Sequence, residues 1–132
     1  MISGASGFIG RQLALRLRSV SPAMRLSCLF KDDEDAFCRG GAGLLVSDGI
    51  QSIPVDLSLG AGLDALEKPA VLFHLAANTH TWESDHSCND KGTENLMRAL
   101  QPLGPMNHIV FTSTTAVMDN RNDLAVALQI TA

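Results

Sequence analysis

The stretch Ser3-Gly4-Ala5-Ser6-Gly7-Phe8-Ile9-Gly10 carries three glycines spaced three residues apart and runs directly into Arg11-Gln12-Leu13-Ala14-Leu15-Arg16-Leu17. Glycine lets a backbone turn tightly, approach a ligand closely and pack a helix against a strand. The first N–H groups of a helix have no partner inside it, and together with the helix dipole they hold anions. The stretch predicts a phosphate-binding turn that opens a helix ending near Ser19. A glycine-rich turn without a ligand is the alternative.

The composition indicates one soluble globular domain. The chain has 132 residues, of which 45% are hydrophobic and 18% charged, enough to bury a core but fewer than a two-domain oxidoreductase usually has. Its formal net charge of −4 has no basic patch set against it, which argues against nucleic acid as a partner. No apolar run approaches the roughly 20 residues that cross a bilayer, and no secretory signal precedes the glycines. We therefore expect no membrane partner and a cytoplasmic location.

The cysteines and histidines do not form a recognisable metal site. Cys28, Cys38 and Cys88 are odd in number and widely spaced, which indicates reduced, structural thiols. His80, His86 and Cys88 lie close together in the sequence, but their spacing matches no usual zinc pattern and a fourth ligand is not evident. We expect the chain to bind no metal.

Apolar segments alternate with helical ones along the chain. A short first strand precedes the glycines. Further strands are predicted over 24–30, 50–55, 71–77 and 108–111, with 44–46 competing for the third, and helices over 60–68 and 83–100. Pro54 requires its strand to lie at a sheet edge, and His74, inside an apolar run, is expected to be a hydrogen-bonded core residue. The pattern predicts a Rossmann-like α/β fold: a doubly wound parallel sheet of order 3-2-1-4-5, with ligand at the carboxyl ends of strands one and four.

Five motifs occur in order along nearly the whole chain. They are the glycines Gly4, Gly7 and Gly10; Val55-Asp56-Leu57; His74-Leu75-Ala76-Ala77; Asn89 with Gly92-Thr93-Glu94-Asn95-Leu96; and Phe111-Thr112-Ser113-Thr114-Thr115-Ala116-Val117. Together they resemble the extended short-chain dehydrogenase/reductase family, of the NAD-dependent epimerase/dehydratase type. The resemblance implies that residues 1–132 are a partial NAD(P)-binding Rossmann domain, truncated before the later strands and without the substrate-binding carboxyl-terminal part. It also implies an oxidoreductase, epimerase or dehydratase that acts by hydride transfer on a small carbonyl or sugar-nucleotide substrate.

The resemblance further implies the residues of the site. Asp56 would contact the adenine, and the segment 74–77 would flank the nicotinamide ribose. Thr114, or Ser113 as the second choice, would donate a hydrogen bond to the substrate oxygen on which charge develops. The implied cofactor-binding residues are Gly4, Ser6, Gly7, Phe8, Ile9, Gly10, Arg11, Phe30, Lys31, Asp56, Leu57, Leu75, Ala76, Ala77 and Asn89.

One part of the family's catalytic apparatus is missing from the sequence. The family uses a Tyr-x-x-x-Lys pair, and the chain contains no tyrosine. We expect that pair to lie beyond residue 132 and the chain by itself to be inactive. A non-catalytic dinucleotide-binding sensor module is the alternative function. Strand five, left as an exposed edge, would also allow two copies to associate as a homodimer.

The residues after strand two favour NADP over NAD. Domains that select NAD usually place a carboxylate about 20 residues past the glycines, where it binds the ribose 2′-hydroxyl. Phe30 occupies that position here and Lys31 follows it, and a lysine charge suits a 2′-phosphate. Arg11 would reach the same place. Asp32 and Asp33 follow Lys31 and would repel a 2′-phosphate if they approach the ribose, so NAD stays open as the alternative.

Overall fold

The sheet is parallel, with the strand order β3-β2-β1-β4-β5. The computed structural model describes residues 1–31, 45, 50–78 and 86–113. Its main elements are β1 (Ile2–Ser3), α1 (Phe8–Val20), β2 (Ser27–Phe30), β3 (Gln51–Pro54), β4 (Val71–His74), α2 (Lys91–Leu100) and β5 (His108–Phe111), with 3-10 turns at Leu63–Ala65 and Gln101–Leu103. The predicted Rossmann-like α/β fold and its strand order are confirmed. Within the described ranges, no helix has the length and apolar character needed to cross a membrane.

Apolar side chains cover both faces of the sheet, as continuous apolar strands predict. Cys28 and Leu29 are neighbours in β2, yet they belong to different core clusters, because successive strand residues point to opposite faces. The helix α1 buries Ala14 in the Cys28 cluster, while α2 buries Leu96 and Leu100 in the Leu29 cluster. The strand β1 lies between β2 and β4, so the loops that follow β1 and β4 meet at the carboxyl edge of the sheet.

The helix predicted over 60–68 is wrong. Gly60 and Gly62 have φ angles of 74° and 77°, in the left-handed region, which a right-handed helix cannot include. Asp56 and Ala61 form an antiparallel bridge across this turn. Only Leu63–Ala65 is helical, as a single 3-10 turn.

Several element boundaries also differ from the prediction. β2 begins three residues later than expected, at Ser27. β4 ends at His74 instead of residue 77, because its neighbour β1 ends where Gly4 takes a positive φ. α2 begins at Lys91 instead of residue 83, since residues 87–90 form a turn; 83–85 lie outside the described residues.

The third and fifth strands lie where they are predicted. β3 falls within 50–55 and places Pro54 at the sheet edge, and β5 occupies the expected four residues. Of the competing segment 44–46, only Leu45 is described, and its side chain is buried.

Candidate functional site

Gly4 brings the turn after β1 against the segment that follows β4. Its φ of +68° is left-handed, and a Cβ at this position would lie 2.7 Å from the amide nitrogen of Ala76. No side chain fits at that distance, so Gly4 is needed for both its conformation and its size. The loops after β1 and β4 are therefore in direct contact.

Gly10 and Gly7 have different surroundings. A Cβ on Gly10 would lie 2.3 Å from the Gly4 carbonyl oxygen, so this glycine allows α1 to pack closely on the turn. A Cβ on Gly7 would meet only that same oxygen, at 3.3 Å. The remaining surface above Gly7 is open, and a bulky ligand group can approach the backbone there.

The N-terminus of α1 faces outward at this turn. Gly7 is the N-cap and offers no side-chain hydrogen bond, and the first turn of the helix contains no acidic residue. No described residue accepts a hydrogen bond from the N–H groups of Phe8, Ile9 or Gly10. The side chains of Phe8 and Ile9 are 70% and 64% exposed. Unpaired N–H groups at the positive end of a helix dipole form a site for an anion.

Two other predicted residues of this turn are less accessible. Ser6 is buried, with 5% of its surface exposed, and Arg11 is half-buried at the start of α1. The turn itself is anchored by a hydrogen bond of 3.1 Å from the Ala5 N–H to the Leu29 carbonyl. This bond fixes the turn relative to β2.

A buried polar chain links β1, β4 and α2 directly beneath the turn. Ser3 Oγ lies 2.5 Å from His74 Nδ1, and His74 Nε2 lies 2.8 Å from Thr93 Oγ1. The Thr93 hydroxyl donates to the Asn89 carbonyl at 2.7 Å, so Nε2–H donates to Thr93 and Nδ1 accepts from Ser3. Burial lowers the pKa of His74, which favours the neutral ring that this arrangement requires. His74 is thus a hydrogen-bonded core residue, as predicted.

Asn89 holds the loop that follows β4. Its side-chain oxygen accepts from the Asn78 N–H at 2.7 Å, and its side-chain nitrogen donates to the Asn78 carbonyl at 2.9 Å. Both ends of the Asn89 amide are therefore engaged with protein backbone. The predicted cofactor neighbours Leu75 and Ala76 are half-buried, and Ala77 is exposed along this same loop.

The ends of β2 and β3 bring Lys31 close to Asp56. Lys31 Nζ lies 3.8 Å from Asp56 Oδ2, and the Lys31 side chain is 60% exposed. Asp56 also accepts a hydrogen bond from the Leu59 N–H at 3.0 Å, which shapes the turn after β3. The half-buried Phe30 lies at the last position of β2. A cation and a carboxylate thus border the same end of the sheet.

Leu57 belongs to the core rather than to the surface of this edge. Its side chain is 7% exposed and packs against α2 at Gly92, where a Cβ would lie 3.0 Å from the Leu57 Cβ. The Asn95 amide donates to the carbonyl of Leu57 at 2.8 Å and to that of Ser58 at 3.3 Å. The helix α2 therefore fixes the loop after β3 as well as the loop after β4.

Of the two predicted catalytic hydroxyls, the structure describes one. Ser113 is exposed just after β5, and Thr114 lies outside the described residues. The hydroxyl of the preceding Thr112 already has a partner, because it donates to the His74 carbonyl at the end of β4, at 3.1 Å. Among the residues with defined positions, no three His, Cys, Asp or Glu side chains come together as metal ligands.

Sequence reasoning missed the supporting residues of this site. Ser3 precedes the three glycines, and Thr93 and Asn95 lie in the segment 92–96, but the sequence motifs assign no role to these three residues. The available signal was the presence of polar residues, Ser3 and His74, in otherwise apolar strands. In the sequence, Ser3 lies 71 residues from His74 and Thr93 lies 19 residues from it, so no local pattern identifies these contacts.

Comparison with known proteins supports the fold. No family model and no curated protein matches the chain. It is similar to the crystal structure of gox2253, with 29% identity and a TM-score of 0.67 over 87% of this chain and 34% of that one. It is also similar to the crystal structure of isoflavone reductase, with 12% identity and a TM-score of 0.57 over 98% of this chain and 43% of that one. The chain therefore spans less than half the length of either structure.

The fold and the site define the class of this protein. It is a Rossmann-like α/β protein whose glycine-rich turn presents the start of α1 at the carboxyl edge of a parallel sheet. In such sheets, ligands bind where the strand order reverses, which here is between β1 and β4.

Proposed function

We propose that the chain is the NAD(P)-binding portion of an oxidoreductase, epimerase or dehydratase. The whole protein would act by hydride transfer on a small carbonyl or sugar-nucleotide substrate. The observation that carries the proposal is the unpaired N-terminus of α1 behind Gly7, at the reversal of strand order. The nicotinamide group would supply the hydride chemistry, and this chain would bind and orient it.

Different described residues would contact successive parts of an extended dinucleotide. The N–H groups of Phe8, Ile9 and Gly10 would hold the pyrophosphate. Asp56 and Lys31, 3.8 Å apart, would border the adenosine, and the loop 75–77 would border the nicotinamide ribose. Ser113, exposed beyond β5, would face the substrate side, next to Thr114 in the sequence.

We further propose a preference for NADP. Lys31 is largely exposed, and its distance of 3.8 Å from Asp56 is a loose ion pair that a phosphate would outcompete. Replacing Lys31 with alanine should weaken NADPH binding about ten-fold, because one charge-assisted contact is lost, and should change NADH binding little. If Lys31→Ala weakens both cofactors equally, or if the unaltered chain prefers NADH, the cofactor preference is wrong.

The site assignment is tested by titrating the chain with NADPH and NADH while following nicotinamide fluorescence. Gly7→Val should abolish measurable binding, because its branched side chain would occupy the open surface where the pyrophosphate approaches. Leu59→Ala is a matched control, since Leu59 is 78% exposed and lies outside the turn. Circular dichroism should show that both variants fold. Equal binding by Gly7→Val and the unaltered chain would reject the site.

A non-catalytic dinucleotide-binding sensor is the second candidate. This candidate requires no Tyr-x-x-x-Lys pair, whereas the first candidate does, and these 132 residues contain no tyrosine. Under either candidate, the chain alone should bind the cofactor without oxidising NADPH in the presence of carbonyl compounds. Turnover by the chain alone would require a proton donor that neither candidate includes.

A further inference from the structure

The loop 75–78, which follows β4, is held by hydrogen bonds at both of its ends. At its start, the N–H groups of residues 75–76 donate to Ser3 Oγ at 3.3 Å and 3.4 Å. At its end, both backbone groups of Asn78 are bonded to the Asn89 side chain. Ala77 lies between these two anchors and is exposed. The loop therefore has fixed ends and an accessible middle.

His74 connects the two anchors of the loop. Its Nδ1 accepts from the Ser3 hydroxyl, and its Nε2–H donates to Thr93, whose own hydroxyl donates to the Asn89 carbonyl. The His74 side chain is buried, so water cannot replace a partner that is lost from this chain of hydrogen bonds. Removing the imidazole ring would therefore loosen the loop at both ends.

The Ser3 hydroxyl can hold the loop only while its hydrogen has an acceptor elsewhere. A hydroxyl has one hydrogen and two lone pairs, and His74 takes the hydrogen, so both lone pairs are left for the loop. The Leu75 N–H also donates to the Ser3 carbonyl, at 3.3 Å. Among the described residues, the hydroxyl is the only acceptor of the Ala76 N–H. The anchoring of Ala76 thus depends on the ring nitrogen of His74.

The adenosine end of the candidate site has separate supports. Lys31 and Asp56 follow β2 and β3, which lie on the opposite side of β1 from β4. The turn at Asp56 is held by its own hydrogen bond from the Leu59 N–H, at 3.0 Å. The two ends of the site can therefore be perturbed independently.

We propose that Ser3 and His74 are positioning residues for the nicotinamide end of the dinucleotide, an inference that rests on the proposed function. Both side chains are buried, so they act through the loop 75–78 and not by touching the cofactor. They hold the loop against the glycine turn, where a Cβ on Gly4 would lie only 2.7 Å from the Ala76 nitrogen. The nicotinamide ribose would meet a loop whose position these two residues fix.

Calorimetric titration with two ligands tests the proposal. NADPH has both ends of the dinucleotide, whereas adenosine 2′,5′-bisphosphate lacks the nicotinamide and its ribose; NADH and ADP replace them if the chain prefers NAD. His74→Leu should weaken NADPH binding about ten-fold, because both anchors lose a partner, and should change bisphosphate binding by less than about two-fold. Equal weakening of the two ligands, or undiminished NADPH binding, would overturn the proposal.

His74→Asn separates the hydrogen bond from the loss of the ring. Asparagine has nearly the size of leucine, and its side-chain oxygen can accept from Ser3 in place of Nδ1. It should recover most of the NADPH affinity that His74→Leu loses, and an affinity no higher than that of His74→Leu would contradict the role of the acceptor. Leu72→Val is the control for destabilised packing of β4, because Leu72 is buried in the same strand; it should leave the ratio of the two affinities unchanged.

Ser3→Ala supplies a second measurement, which holds even if the His74 variants do not fold. The amide hydrogen of Ala76 should exchange about ten-fold faster in Ser3→Ala than in the unaltered chain, while that of Leu59 should keep its rate. An unchanged rate at Ala76 would overturn the proposal. If the unaltered chain binds neither ligand, the proposed function fails and this inference with it; if it binds both and the variants lose both equally, only this inference fails.

Discussion

Single residues of the glycine turn should differ in what they contribute to stability. A Cβ on Gly10 would lie 2.3 Å from the Gly4 oxygen and 2.8 Å from Ala5 Cα, both of them backbone atoms that cannot easily move aside. We expect Gly10→Ala to lower the free energy of unfolding by about 1–3 kcal/mol in urea denaturation. Gly7→Ala is the comparison, because its Cβ would meet only the Gly4 oxygen, at 3.3 Å; its loss should stay below about 1 kcal/mol. Equal losses would contradict the packing argument.

His74 predicts a dependence of stability on pH. Burial lowers its pKa in the folded chain below the ordinary value of about 6.5, so the unfolded chain binds the proton more readily. Stability is therefore fully present above about pH 6.5 and is lost as pH falls from there toward the folded pKa. This histidine adds a slope of at most about 1.4 kcal/mol per pH unit.

Urea denaturation between about pH 7 and pH 5 measures this slope, above the range in which exposed carboxylates titrate. His74→Gln should have a flatter profile than the unaltered chain. His108→Gln is the control, because His108 is exposed at the start of β5 and should keep the slope. A profile that His74→Gln leaves unchanged would show that the ring is not the titrating group.

At the scale of elements, α2 positions the two loops that border the candidate site. Asn95 holds the loop after β3 through the Leu57 and Ser58 carbonyls, and Asn89 holds the loop after β4 through Asn78. A helix that carries both side chains fixes the spacing between the loops. The two loops should therefore respond together when α2 is perturbed.

Asn95→Ala tests this role of α2. We expect it to lower the free energy of unfolding by about 0.5–1.5 kcal/mol, because two carbonyls lose their donor, and to weaken NADPH binding as well. Arg98→Ala, on the same helix, breaks only an exposed ion pair with Glu94 and should change stability by less than about 1 kcal/mol. Loss of stability in Asn95→Ala with full NADPH affinity would separate the loop from the binding site.

At the scale of the whole molecule, β5 is an edge strand of the sheet that the described residues form. Ile109, Val110 and Phe111 are 50%, 43% and 56% exposed, and such an edge is a template for pairing with another strand. We expect sedimentation at rising concentration to show a dimer, and Ile109→Lys to shift the chain toward monomer. Leu59 is also apolar and exposed but lies away from this edge, so Leu59→Lys should leave the dimer intact. A monomer at every concentration would exclude this association.

Local patterns in the sequence were sufficient for the glycine turn, the order of the strands, Pro54 at the edge and the buried role of His74. Most of these signals depend on backbone freedom and apolar periodicity over a few neighbouring residues, which can be recognised without the fold. The order of the strands needed in addition the general rule that alternating strands and helices form a doubly wound parallel sheet. The extent of β4 and the start of α2 required the structure, as did the turn that replaces the helix predicted over 60–68. The same holds for the Ser3–His74–Thr93 chain, the Asn89 and Asn95 links, and the approach of Lys31 to Asp56. Each of them depends on groups far apart in sequence that only the packed sheet brings into contact.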